Sequence, residues 1–131
     1  GCNGGSLAAR PLRLSAIARQ RISAGFGALA VLLGAFGAHS LQPTLVALGT
    51  SETWKTAALY HLTHSVVLLF LSGKSTTRLS FGLFAAGILL FSGSLYLYAV
   101  TIFKPLVFLA PVGGVCLIAG WASLFFASRE T

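Results

Sequence analysis

Methionine is absent from the chain, acidic residues number two in 131 positions, and charged residues make up only 8%. Each shortage excludes something. An ordinary soluble domain carries about 25% charged residues, and nine basic with two acidic side chains cannot cover the surface of a water-soluble globule of this size. The two acids, Glu52 and Glu130, leave no paired carboxylates for acid–base chemistry, and there is no phosphate-cradling glycine loop or Gly-x-Ser-x-Gly nucleophile turn. Ser92-Gly93-Ser94 comes nearest to such a motif, and within a helical run it is better explained as a close-packing notch. An enzyme is not expected. Cys2 and Cys116 set no disulfide framework, since one lies in the leading tail and the other in an apolar run where a free thiol packs as a small hydrophobe. The missing methionine also means that Gly1 is no initiator, which leads us to expect leading sequence before it.

What the chain does have is apolar residues: 56% are hydrophobic and the mean hydropathy is +0.87, which excludes disorder and points to a bilayer as the solvent. Runs of about 18 or more apolar residues, enough to cross about 30 Å of hydrocarbon, occur at 22–41, 54–71, 79–100 and 106–127. Only the second contains a charge, Lys55, together with His61 and His64. Such long, unalternating runs predict helices, because a helix satisfies its own backbone in lipid. Gln42-Pro43 is expected to close the first helix, Ser51 or Thr53 to cap the second with Glu52 at its positive end, and residues 72–78 and Lys104-Pro105 to form the other turns. Pro111 with Gly113 and Gly114 predicts a fourth helix that bends or begins late. Short connections predict antiparallel neighbours, so the expected fold class is all-α, an up-down-up-down bundle of four transmembrane helices over 22–127, with a basic tail at 1–21 and a short one at 128–131.

The net charge of +7 speaks to topology and anionic lipid rather than nucleic acid. Arg10, Arg13, Arg19, Arg21, Lys74, Arg78 and Arg129 fall on one side of such a bundle, against Lys55 and Lys104 on the other, so both termini are expected on the positive-inside face. Trp54 and Trp121 are expected at opposite interfaces. The tail, with four Arg, two Ser and no acid, reads either as an organelle transit segment or its remnant, or as a basic juxtamembrane stretch held by anionic headgroups.

Small residues recur at spacings of four: Ala30, Gly34 and Ala38, with Ala24 and Ala28 beside them; Gly82 and Ala86; Cys116 and Gly120. Gly113 and Gly114 add a further notch. Such stripes let helices approach closely, within the bundle or against another membrane subunit. His61 and His64 share a helix face with Ala57, Ser65 and Leu68, and Tyr60 lies beside them. A histidine in hydrocarbon faces protein as a rule. We expect a polar layer of His39, Tyr60, His61, His64, Ser92, Ser94 and Tyr96 that locks helices together by hydrogen bonds. Haem or metal ligation would need imidazoles converging on one point with supporting acceptors, and proton relay would need acids. Cofactor and metal are therefore expected to be none.

The blocks Phe36-Gly37-Ala38-His39-Ser40-Leu41-Gln42, Tyr60-His61-Leu62-Thr63-His64-Ser65, Phe91-Ser92-Gly93-Ser94-Leu95-Tyr96 and Leu109-Ala110-Pro111-Val112-Gly113-Gly114, with Gly120-Trp121, resemble the YgdD-like family of small four-helix membrane proteins. The likeness covers about residues 22–127 in order. It implies the fold and the membrane but no activity, since the family is a domain of unknown function. Its bacterial members are inner-membrane proteins and its animal members mitochondrial. The basic extension before residue 22 departs from the bacterial pattern and suggests organelle import. The resulting expectation is a non-catalytic accessory or assembly subunit of a respiratory or photosynthetic membrane complex in an organelle inner membrane, mitochondrial before bacterial, with anionic lipid and other subunits as partners. A small carrier or channel using the polar layer, and a haem or metal protein, are the alternatives.

The charge split has a direct test. In a chain whose Cys2 and Cys116 are replaced by Ser, Ala47→Cys and Thr76→Cys should label with impermeant reagent from opposite sides of the membrane. Labelling of both from one side would refute the topology.

Overall fold

The computed structural model describes residues 2–74 and 77–127, with side chains from residue 16 onward. Among the described residues every regular element is helical: α1 (Cys2–Ala38), α2 (Gln42–Leu48), α3 (Ser51–Leu71), α4 (Arg78–Gly87), a π turn (Ile88–Ser92), α5 (Gly93–Thr101), a 3-10 turn (Lys104–Phe108) and α6 (Leu109–Ala127). The first helix therefore extends back through the basic stretch and stops three residues short of the expected end at Leu41. Gln42-Pro43 opens a helix instead of closing one, because proline's fixed φ suits a first helical turn where its missing N–H is not needed. Gly49, at φ 71°, then ends α2 in the left-handed conformation that glycine adopts without a Cβ clash.

The residue flanking α3 is Thr50, so Ser51 and Thr53, the expected caps, both fall inside the helix, and no side chain caps its start. The Thr50 hydroxyl instead donates to the Ala99 carbonyl at 2.7 Å, tying the start of α3 to the end of α5. Pro111 sits in the first turn of α6, so the fourth long helix begins late, after a 3-10 turn.

Neighbouring helices run antiparallel. Along α1 and α3, Gly27 meets Ser65, Gly34 meets Ala58 and Gly37 meets Trp54. Along α3 and the rod that the π turn and α5 continue, Thr50 meets Ala99 and Ser92 donates to the Ala57 carbonyl at 2.8 Å. Along α4 and α6, Ser80 donates to Ser123 at 2.6 Å, and Gly120 faces the Phe84 ring. The Ser123 hydroxyl is directed to the Gly120 carbonyl, which fixes Ser80 as the donor of that pair. Among the described residues the result is an array in chain order, in which α1 packs along α3 and α6 packs along α4.

Three of the described helices are long and apolar enough to cross a membrane: Ala16–Ala38, Arg78–Thr101 and Lys104–Ala127. The expectation of four spans is thus met by composition at three. Helix α3 has the length, 21 residues, but Lys55, His61, His64 and Ser65 make it less apolar. Its buried side chains include His61, His64 and Ser65, while Leu59, Leu62, Val66, Leu69 and Phe70 are exposed. The interior has two apolar clusters, one around Leu68, Phe84, Ile88 and Leu117, the other around Leu45, Trp54, Ala57, Tyr96 and Ala99. The polar side chains of α3 lie between them.

The small-residue stripes are corrected in detail. Ala30 is buried, Gly34 touches Ala58, and Ala86 is half-buried, but Ala38 is exposed and Gly37 takes its place against the Trp54 indole. Gly82 has open space around it, and the contact on that rod is made by Gly87 against Leu117. Gly113 is pressed onto the Leu90–Phe91 backbone, and Gly114 only grazes the Phe91 ring. A spacing of four names a stripe but not its phase, which the packing partner decides.

This contrast is testable by denaturation in mild detergent. Gly113→Ala should cost about 1–3 kcal/mol, because its methyl would meet backbone that cannot swing aside. Gly82→Ala should be neutral or stabilising by up to about 1 kcal/mol through helix propensity. Equal effects of the two would contradict the packing.

Candidate functional site

Helix α3 presents its polar residues to the interior at three- and four-residue intervals, so that His61, His64 and Ser65 fall on the stripe defined by Trp54, Ala57 and Leu68. The two imidazoles are used differently. His64 sits beside Trp121, whose indole N–H donates to His64 Nε2 at 3.2 Å. With that nitrogen accepting, Nδ1 carries the proton and donates to the Tyr60 carbonyl one turn back at 2.8 Å. Both nitrogens of His64 are satisfied.

His61 has the other tautomer. Its Nδ1 lies 2.9 Å from the Tyr96 hydroxyl, and the phenol has no other acceptor among the described residues. Tyr96 is therefore the donor, which leaves the proton of His61 on Nε2. That atom is buried without a hydrogen-bond partner. Around the pair, Trp54 packs edge-on to Tyr96 with centroids 4.7 Å apart, and Phe26 of α1 meets the His61 ring edge-on at 6.1 Å.

The expected layer is thus assembled from His61, His64, Ser92 and Tyr96, with Tyr60 contributing its carbonyl and a half-open ring stacked on Phe91 and His64. Ser94 is buried but serves its own helix, donating to the Phe91 carbonyl at 3.0 Å. His39 does not join. Because α1 ends at Ala38, His39 falls in the following turn and is exposed. Among the described residues no three His, Cys, Asp or Glu side chains converge on a point that could hold a metal ion.

The interface residues are also redistributed. Trp54 is buried, with its N–H donated to the Leu33 carbonyl at 2.8 Å, whereas Trp121 is half exposed and anchored inward by His64. Arg19, read as a headgroup contact, is 8% exposed, and its Nε donates to the Ser72 carbonyl at 3.2 Å. The guanidinium also reaches the Lys74 carbonyl, so it meets the negative end of α3 and ties α1 to the α3–α4 connection. Arg21, Lys74 and Arg78 remain exposed at that same end, Lys74 lying over the Phe70 ring at 4.8 Å, while the side chains of Arg10 and Arg13 lie outside the described residues. Sequence reasoning missed the Arg19 latch, the Thr50 tie and the Ser80–Ser123 pair. A single hydroxyl within an apolar run was the available signal for the last of these.

A thermal double-mutant cycle on His64→Leu and Trp121→Phe should return a coupling of about 0.6–1.7 kcal/mol, the range for side-chain hydrogen bonds between membrane helices. Strict additivity would remove the bond from the account.

Residues 33–114 match the model of the family described as protein of unknown function (DUF423). Among curated relatives, the chain is similar to UPF0382 membrane protein SAB0533 of Staphylococcus aureus, 39% identical over 76% of this chain and 85% of that one. It is similar to UPF0382 membrane protein YwdK of Bacillus subtilis, 38% identical over 76% and 86%, respectively. It is also similar to UPF0382 inner membrane protein YgdD of Escherichia coli K12, 39% identical over 73% and 77%. No solved structure matches.

Proposed function

The chain belongs to the DUF423 family of membrane proteins, and from that premise we propose that it is a four-pass, non-catalytic membrane subunit that stabilises or helps to assemble a larger membrane complex. The observation that carries the reading is the inverted polarity of α3: imidazoles and hydroxyls inside, Leu59, Leu62, Val66, Leu69 and Phe70 outside. Such an exterior is unfavourable in water and suited to lipid or another apolar helix. Taking α3 as the fourth span makes the antiparallel array a four-pass fold, with Arg21, Lys74 and Arg78 at the end that bears both termini and Lys55 and Lys104 at the other.

An assembly role is supported by how the polar groups are used. His64, Ser92, Trp54, Thr50 and Arg19 each bind a partner within the chain, which ties the helices into a stable body and leaves large aliphatic faces such as Leu32, Phe108, Val115 and Ile118 outward. An organelle inner membrane, mitochondrial above all, is the location we infer from the basic first helix; the E. coli relative's name favours a bacterial inner membrane as the second location. A carrier is the weaker reading, because the serine hydroxyls on these helices are already committed to carbonyls inside the bundle and the Tyr96 hydroxyl to His61.

Native mass spectrometry of the chain extracted from its own membrane in mild detergent should show it bound to at least one different protein. Monomer with lipid alone would overturn the subunit role, while leaving the four-pass fold to the labelling experiment.

A further inference from the structure

The end of the array where α1 stops holds a cavity of about 560 Å³, within the range of about 300–1,000 Å³ in which small-molecule sites fall. It is bounded by the last turn of α1, the short helix α2 and the first two turns of α3, and it is partly open to the outside of the bundle. Between α1 and α3 its wall is apolar. Gly34 stands so near α3 that a Cβ there would lie 4.0 Å from the Ala58 methyl, and one turn on Gly37 takes the Trp54 indole. Bare backbone on one helix and a methyl on the other leave a trough, which Val46 of α2 borders. Gln42, Ser51 and Lys55 add polar groups to the walls. The Lys55 side chain is 73% exposed and lies 3.4 Å from Glu52, itself 87% exposed. An ion pair this open to water holds its ammonium weakly.

The level of the cavity in the membrane follows from α1. Ala16–Ala38 is long and apolar enough to cross, so Ala38 marks where hydrocarbon ends, and Gly34 lies about 6 Å inside that boundary. Lys55 follows Trp54, which meets Gly37, so its ammonium reaches the boundary while its stem stays against the protein. A ligand that fills this space is apolar where it meets Gly34 and Ala58 and negative where it meets Lys55. We propose that the cavity is a site for one phospholipid, with an acyl chain laid between α1 and α3 and its phosphate on Lys55. A free phosphate would leave the apolar trough empty, and an uncharged chain would leave the ammonium unused. The site lies at the opposite end from Arg19, Arg21, Lys74 and Arg78, so it is distinct from any headgroup contact of the basic stretch. The inference rests on α1 being a span and needs no partner subunit.

The test uses the full chain in dodecyl maltoside micelles, which carry no phosphate, with the indole nitrogens of its two tryptophans labelled with ¹⁵N. Trp54 lines the cavity, while Trp121, half exposed on α6, reports unspecific partitioning. Titration with dioctanoyl phosphatidylglycerol, whose one charge is its phosphate, should move the Trp54 resonance saturably and that of Trp121 only in proportion to the lipid added. Dioctanoylglycerol, with the same chains and no phosphate, should bind about fivefold more weakly, and phosphatidylglycerol should lose the same factor on Lys55→Gln. Glu52→Gln, which frees the ammonium, should tighten binding about twofold, an effect that a merely structural Lys55 would not produce. Gly34→Leu should weaken binding about tenfold or more by filling the trough. Its Cβ makes only ordinary contact with Ala58, so the variant should fold, and the Trp54 resonance bonded to the Leu33 carbonyl reports that it has. A Trp54 shift that grows in proportion like that of Trp121 would assign the cavity to water or detergent and overturn the proposal. Equal affinity for the two amphiphiles, the same shift with sodium phosphate alone, or unchanged binding in Gly34→Leu would also overturn it.

Discussion

The structure depends on one constraint: in hydrocarbon a polar group must find its partner inside the protein. In water a polar group can turn to solvent; in hydrocarbon it cannot. Helix α3 turns its least apolar side inward, and the rest of the chain is arranged to meet it. Trp121 reaches across from α6 to His64, Tyr96 from α5 to His61, and Ser92 bonds the Ala57 carbonyl. Each bond is modest, about 0.6 kcal/mol on average in membrane proteins. Their effect is to fix rotation: helices held only by aliphatic contacts in lipid have little to choose between one rotation and another.

The two ends of the array are closed by different chemistry. At one, Arg19 lies against the carbonyls that end α3, where a cation meets both a hydrogen-bond deficit and the negative pole of the helix. At the other, uncharged groups do the work: Thr50 binds the Ala99 carbonyl and the Trp54 indole binds the Leu33 carbonyl. The arginine side coincides with the exposed Arg21, Lys74 and Arg78. Arg19 is thus set apart from its neighbours by burial, not by sequence context, and its positive charge is part of the fold before it is part of any lipid contact.

The long elements were legible because apolar runs have lengths, and a run of 20 residues in a chain with eleven charges has few other uses. The inward placement of His61 and His64 was legible from a spacing of three on one helix. Helix α2 was not, since Gln42–Leu48 is too short to carry a period and Pro43 is equally a stop and a start signal. His39 was misplaced by the same three-residue error that extended α1 to Leu41. Four-residue spacing points to Ala38 and Gly82, whereas Gly37 and Gly87 make the contacts, because such spacing is blind to which neighbour approaches. The tautomers, and so the orphaned Nε2 of His61, required atoms: no pattern of letters distinguishes a satisfied histidine from a half-satisfied one.

The π turn sets how the rod formed by α4 and α5 meets its neighbours. Phe84, Ile88, Ser92 and Tyr96 are all buried, at successive spacings of four. In a regular helix each such step overshoots a full turn by about 40°, so three of them would carry the stripe about 120° around the rod. The wider turn at Ile88–Ser92 absorbs the overshoot and keeps the four side chains directed inward. The same widening puts the Leu90–Phe91 backbone against α6, where only the bare Cα of Gly113 fits. A contact that demands glycine on α6 and an unbroken inward stripe on the rod it meets are therefore two consequences of one irregular turn.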